Sequence, residues 1–197
     1  MTTAAEVPLD ELIASIAVDV PDFPEPGVLF RDLTPVFADG AAFRRVVDGL
    51  AAPSLSDPRA AAVSDAGTHP LDDPGFDVVV GVEARGFLLA AAVAYDVGVG
   101  VVLVRKAGKL PRERMAAHYA LEYGTATLEL HTDSLRPGQR VLIVDDVLAT
   151  GGTLGAAIAL VEQAGAVVTA VSVVIELAAL GGRQRVAPHT VHSLWTT

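Results

Sequence analysis

The chain has 197 residues, 51% of them hydrophobic but only 5% aromatic, and a formal net charge of −10. That length and apolar content suit a single domain, 1–197, whose core is close-packed Ala and Val with helices lying on a sheet. The acidic balance argues against a nucleic-acid partner or an anionic membrane. Having no cysteine, the chain can form neither disulfides nor thiolate metal sites, which fits the cytoplasm.

No basic stretch leads into an apolar core at the start, so no signal peptide is expected. Leu9 to Val18 carries Leu12, Ile13, Ile16 and Ala17 at helical spacing, with Asp10 and Glu11 in the first turn, and reads as an amphipathic packing helix. Pro21 to Gly27 then forbids regular structure, and Val28 to Leu33 runs on as an extended piece. By composition alone, Phe30 and Arg31 within it are a core aromatic and a surface cation. Asp39 can cap a second helix with the face Phe43, Val46, Val47 and Leu50. Residues 51–76, with four prolines among Ala, Ser and Asp, read as an irregular segment, and His69 within it as a solvated histidine.

Asp77 to Val82 has the pattern of a strand buried on both faces. It ends in Glu83-Ala-Arg-Gly-Phe87 and enters an apolar helix, Leu88 to Tyr95. Backbone N–H groups at such a turn can hold a phosphate group. The apolar stretch Phe87 to Val104 is split by Asp96, Gly98 and Gly100 into a helix and a strand, each too short to span a bilayer. After the strand Val99 to Val104 comes the densest cation cluster, Arg105, Lys106, Lys109, Arg112 and Arg114. In so acidic a chain, this loop reads as an anion clamp. Tyr119 to His131 reads as two extended runs around Tyr123-Gly124. Glu122 between Leu121 and Tyr123 is either a surface carboxylate or an acid/base group against an apolar wall, and the pattern leaves both open.

The chain is organised around Val141-Leu-Ile-Val-Asp-Asp-Val-Leu-Ala-Thr-Gly-Gly-Thr153. Four apolar residues predict a buried parallel strand ending at Asp145 and Asp146. A small-residue loop, Ala149 to Thr153, and a helical run from Leu154 to Val161 follow. Ligands of open α/β sheets bind beyond the carboxyl ends of the strands. Glycines that admit close backbone approach, threonine hydroxyls and a helix N-terminus together make a phosphate cup. The carboxylates would repel a phosphate; they suit ribose hydroxyls, a bound Mg²⁺, or a sugar that becomes cationic. Neither a P-loop nor a G-x-G-x-x-G fingerprint is present. Ala166 to Ile175 predicts another long strand, Gly181-Gly-Arg183 a turn, and Val191 to Trp195 a last edge strand. Strands alternating with helices give an α/β fold with a parallel sheet.

Several motifs together carry a resemblance. They are Phe23-Pro24, Leu29-Phe-Arg-Asp-Leu-Thr-Pro35, Glu83-Ala-Arg-Gly-Phe87, Val104-Arg-Lys-Ala-Gly-Lys-Leu-Pro111, Tyr119-Ala-Leu-Glu-Tyr-Gly124 and Val144-Asp-Asp-Val-Leu-Ala-Thr-Gly-Gly-Thr153. In this order, along nearly the whole chain, the sequence resembles the adenine phosphoribosyltransferases of the type I phosphoribosyltransferase family. Segment 51–76, which looks inserted, and Ala107 in the cationic loop depart from the pattern; neither removes a functional residue.

The resemblance implies a central parallel sheet flanked by helices, an N-terminal hood (1–36) and a flexible loop and lid hairpin (105–131). It implies the Mg²⁺-dependent reaction of adenine with 5-phosphoribosyl-1-pyrophosphate (PRPP) to AMP and pyrophosphate, with Mg²⁺ held mainly through PRPP and water. By position, Leu29, Phe30 and Arg31 would form the adenine pocket, Phe30 stacking on the ring, which overturns its bland reading. Glu83, Ala84, Arg85 and Gly86 would hold pyrophosphate, in a loop that often carries a strained non-proline peptide in this family. Arg105, Lys106 and Lys109 would add their charge, Arg105 across a homodimer interface. Asp145 and Asp146 would hold the ribose hydroxyls, and Ala149, Thr150, Gly151, Gly152 and Thr153 the 5′-phosphate. Glu122 would be the acid/base residue, with Arg85, Asp145 and Asp146 as its catalytic companions. The alternatives are a transferase for a 6-oxopurine, against which the Phe-Arg-Asp motif argues, and a non-catalytic PRPP-binding regulator, which lacks a basic face here.

Overall fold

A computed structural model describes residues 7–52, 73–120 and 125–197. The sequence reading of Glu122 and most of segment 51–76 lie outside the described residues.

Strands β1 (Val18–Pro21) and β2 (Leu29–Asp32) form a small antiparallel sheet of their own. Helix α1 (Leu9–Ile16) precedes them, and two helices follow, α2 (Thr34–Ala38) and α3 (Gly40–Ala51). Helix α2 was not anticipated from sequence; Pro35 stands in its first turn, where the missing N–H costs nothing. Asp39 caps α3 as expected, accepting from the N–H groups of Ala41 and Ala42, an arrangement worth about 1 kcal/mol.

Next come β3 (Val78–Val82), α4 (Gly86–Val97), β4 (Gly100–Lys106) and the hairpin of β5 (Arg114–Ala120) and β6 (Thr125–His131). The chain continues through β7 (Arg140–Leu148), α5 (Gly152–Gln163), β8 (Val167–Glu176), the short helix α6 (Gly182–Arg185) and β9 (Val191–Thr196). The main sheet has the order β5-β6-β4-β3-β7-β8-β9. Its parallel part runs from β4 to β9, as the repeated strand–turn–helix pattern dictates. The central parallel sheet is as expected, and the hairpin makes the sheet as a whole mixed. The hairpin pairs antiparallel with β4 through Arg105 and Lys106 and so joins the sheet.

Apolar alternation divides the core into two layers. Val80, Val82, Val141, Ile143, Val171 and Val173 face the layer filled by α5 and by Met115, Ala117 and Tyr119 of the hairpin. Val79, Leu142, Val144, Ala170 and Val174 face α1, α3 and α4 on the other side. Burial on both faces explains why these strands read as continuous apolar runs. Among the described residues, no helix is long and apolar enough to cross a membrane. Gly98, with φ +82°, ends α4 in the left-handed conformation and separates it from β4.

Two strand ends differ from the sequence reading. β7 continues through both aspartates to Leu148, because Asp145, Val147 and Leu148 keep pairing with Val173, Ile175 and Glu176 of β8. β4 extends through Arg105 and Lys106, so the cation cluster begins on a strand.

Candidate active site

The carboxyl ends of β3, β4 and β7 open into one cavity of about 550 Å³. From β3 come Glu83, Ala84 and Arg85, and from β4 comes Lys106. From β7 and its turn come Asp145, Asp146, Val147 and Ala149 to Leu154, while Tyr119, Ala126 and Leu128 of the hairpin form one wall. Most of the expected PRPP residues thus share one chamber. Tyr119, Ala126, Leu128, Val147 and Leu154 were not singled out as lining residues. Tyr119 belongs to a motif already noted, but only the pairing of β5 with β6 turns its side chain to the chamber.

The Glu83–Ala84 peptide is cis. α4 begins at Gly86, where an added Cβ would lie 2.8 Å from Asp145 Oδ1 and 2.9 Å from the Val144 carbonyl. A glycine is therefore needed for the helix start to sit against β7, which sets Arg85 beside the aspartates. The Arg85 Nε donates to Asp146 Oδ2, and its guanidinium lies 5.4 Å from the Phe30 ring centroid. Phe23 meets Phe30 edge-on at 5.2 Å. The small sheet thereby brings Phe30 to the cavity's rim. Arg31 turns away from it: its guanidinium stacks 5.2 Å from Trp195, lies 3.4 Å from Asp19 and donates to Thr197 Oγ1 at 2.7 Å. The Arg31 side chain is therefore committed to Asp19, Trp195 and Thr197.

Several charges at and beside the cavity are paired with one another. Lys109 donates to Glu83, whose other oxygen accepts the Lys106 backbone N–H at 2.9 Å and lies 3.5 Å from Arg105. Burial works against charge on Glu83, but the Lys109 ammonium and the Lys106 N–H outweigh it and hold the carboxyl below its ordinary range. Arg105 also lies over Phe87, at 5.9 Å. The other two cations of the cluster serve the hairpin instead: Arg112 pairs with Asp133 and Arg114 with Glu129. The anion clamp is reduced to Arg105, Lys106 and Lys109.

Asp145 and Asp146 are 6% and 7% exposed, so neither is a mere helix cap. Asp145 Oδ1 accepts the Asp146 N–H at 2.9 Å. Burial first, and the neighbouring Asp146 charge second, push the Asp145 carboxyl well above its usual range. A cation brought into the cavity would reverse that bias. Gly151, at φ +80°, precedes α5, whose first N–H groups and dipole end face the same space. The chamber thus joins three chemistries: a neutral N–H cup, a buried carboxylate pair and the cations Arg85 and Lys106, while Arg105 and Lys109 pair with Glu83 outside its lining.

Residues 62–189 match the family described as phosphoribosyl transferase domain. The adenine phosphoribosyltransferase of Arthrobacter sp. (strain FB24) is 56% identical over 98% of this chain and 94% of its own length. A crystal structure of the enzyme from Thermoanaerobacter pseudethanolicus superimposes with a TM-score of 0.82 at 42% identity, covering 95% of this chain and 99% of that one. The Saccharomyces cerevisiae enzyme, solved with an imino-altritol bisphosphate and adenine, gives 0.81 at 35% identity, covering 94% and 98%. By sequence along nearly its full length and by fold, the chain belongs to the adenine phosphoribosyltransferases, within the type I phosphoribosyltransferase fold.

Proposed function

We propose that this chain is the purine-salvage enzyme that transfers the 5-phosphoribosyl group of PRPP to N9 of adenine, releasing AMP and pyrophosphate. The observation that carries the reading is the single chamber in which an uncharged phosphate cup, two buried aspartates and a cationic rim meet. PRPP carries a phosphate at one end, a pyrophosphate at the other and a ribose between, in that same order. The adenine bound in the yeast relative's structure supports the choice of base.

Ala149 to Thr153 receive the 5′-phosphate through backbone N–H groups and threonine hydroxyls. Asp145 and Asp146 hold the ribose hydroxyls. As the C1′–O bond breaks, positive charge builds on the sugar, and carboxylates already fixed beside it stabilise that charge without reorganising. Glu83 to Gly86, with Arg105, Lys106 and Lys109, take the departing pyrophosphate; to do so, Lys109 leaves Glu83. Phe30 stacks on adenine while the backbone of Leu29 and Arg31 reads its edge. Glu122 handles the proton at the imidazole nitrogens of the purine, the general acid–base task that the family motif assigns to it. Residues 107–122 form the lid, whose closure keeps water from the reactive sugar.

Mg²⁺ typically takes one or two carboxylates together with substrate phosphates and water, and the adjacent Asp145 and Asp146 fit that donor set. When bound, it neutralises charge on the pyrophosphate. The enzyme works as a cytoplasmic homodimer. Leu88 and Tyr95 of α4 and Val101 and Leu103 of β4 are large, apolar and exposed, Tyr95 at 90%. Arg105 follows Leu103 on the same face of β4 and reaches across to the partner's pyrophosphate.

The test is PRPP- and Mg²⁺-dependent nucleotide formation with adenine, hypoxanthine, guanine and xanthine offered separately. AMP alone is expected. Turnover of an oxopurine would break the assignment of residues 29–31, and PRPP binding without turnover would make the protein a regulator. Glu122→Gln should cut turnover far more than PRPP affinity; unchanged turnover removes it from the mechanism.

A further inference from the structure

Behind the phosphate cup stands a second turn to which the proposed reaction assigns nothing. Gly181 and Gly182 follow β8, and the backbone of Gly182 lies directly against the cup. An added Cβ on Gly182 would sit 2.2 Å from the Ala149 carbonyl oxygen and 3.0 Å from the Gly151 nitrogen. An added Cβ on Gly151 would sit 2.7 Å from the Gly182 carbonyl oxygen. The two turns are in backbone contact, so the position of one fixes the position of the other.

What holds the second turn is the next residue. Arg183 donates from Nε to Glu176 Oε1 at 3.0 Å, from Nη2 to Glu176 Oε2, and from Nη1 to the Val191 carbonyl at 2.6 Å. Glu176 is 5% exposed, ends β8 opposite Leu148 of β7, and also accepts from the Ser193 hydroxyl at 3.1 Å. The Leu177 N–H donates to the Leu148 carbonyl at 2.9 Å, immediately before the cup begins. The guanidinium therefore ties the glycine turn to the strand ends from which the cup itself springs. A bidentate, charge-assisted pair of this kind fixes direction as well as distance. The Arg183 guanidinium, ahead of burial, sets the net effect on Glu176 and keeps its carboxyl below the ordinary range, so the pair persists through neutral pH.

We propose that Arg183, anchored on Glu176, is a positioning residue for the 5′-phosphate: it seats Gly181–Gly182 against Ala149–Gly151 and so sets the spacing of the N–H groups that receive the phosphate. The inference rests on the proposed function, because the cup is taken as the 5′-phosphate site.

The experiment compares two probes, ribose 5-phosphate and inorganic pyrophosphate with Mg²⁺, binding to the wild-type chain and to Arg183→Met by calorimetry. Arg183→Met should weaken ribose 5-phosphate about tenfold and leave pyrophosphate within about twofold, with a matching rise in KM for PRPP. Arg183→Lys, which keeps a charge on Glu176, should recover part of the loss. Equal weakening of both probes would mean a general structural role, and no weakening of ribose 5-phosphate would mean no role; either overturns the proposal. If Arg183→Met does not fold, Ser193→Ala removes one bond to Glu176, and the same selective loss, reduced in size, is expected or the proposal falls. A wild-type chain that binds neither probe and forms no AMP would overturn the function itself, a result separable from any variant effect.

Discussion

The turn after β3 and the turn after β7 both carry the chain from a buried strand into a helix at the same end of the sheet, yet their donors differ. At the first, Arg85 supplies charge together with Arg105 of β4 and Lys109 beyond it, and each is already engaged, Arg85 with Asp146 and the other two with Glu83. At the second, Ala149 to Thr153 contribute no charged side chain, only backbone N–H groups, hydroxyls and the start of a helix. A ligand arriving at the first must exchange ion pairs; at the second it meets a surface set in place by packing. The first should answer to charge and salt, the second to backbone shape. That division suits a substrate whose pyrophosphate must leave while its 5′-phosphate stays.

The largest effect expected from this contrast is at Gly151. Gly151→Ala would place a Cβ at a backbone φ of +80° and within 2.7 Å of the Gly182 carbonyl. A shift of about 1 Å in the cup is enough for about a hundredfold fall in kcat/KM for PRPP, read by steady-state kinetics. A loss under about threefold would show that the cup is not shape-limited.

Next comes Lys109→Ala, which removes one charged partner of the pyrophosphate. Pyrophosphate binding should weaken about tenfold and lose part of its salt dependence, while ribose 5-phosphate binding stays unchanged. Titrations of both probes at low and high salt would decide it. Equal losses at the two ends would erase the distinction between them.

The smallest effect concerns the free protein. Because burial raises the Asp145 pKa in the folded state, ionising this group opposes folding. The contribution of this one group to stability is therefore fully present below the ordinary carboxylate range and is lost as pH rises toward its folded-state pKa. Asp145→Asn retains the acceptor for the Asp146 N–H and removes that penalty. Its Tm at neutral pH should rise by about 2–4 °C, and calorimetry across pH should show a flatter profile, while turnover drops. An unchanged or lowered Tm would contradict the burial argument.

Strand and helix order was legible in the sequence wherever an element is buried on both faces or carries a cap. Val78 to Val82, Val141 to Val144 and the Asp39 cap belong to that class, because continuous apolar runs and local hydrogen bonds are properties of neighbouring residues. The motif glycines and aspartates were legible for a related reason: a turn that receives a phosphate restricts which residues can stand next to one another. Other features depended on distant partners. Whether the aspartates end β7 or lie within it was decided by pairing with β8. Arg112 and Arg114 left the anion clamp because the hairpin supplied Asp133 and Glu129. The direction of the Arg31 side chain was decided by Asp19, Trp195 and Thr197, which hold it.

By itself, then, the sequence determined the α/β architecture, the family and the residues that gather at the strand ends, since each follows from local pattern and spacing. Only the tertiary structure decided which charges oppose one another, that the hairpin completes a mixed sheet, and that Gly182 and Arg183 stand behind the phosphate cup. Those depend on partners distant in the chain, as Arg112 and Asp133 are at 21 positions and Arg85 and Asp146 at 61, or on two backbones so close that no Cβ fits between them, and neither leaves a periodic trace in the order of amino acids.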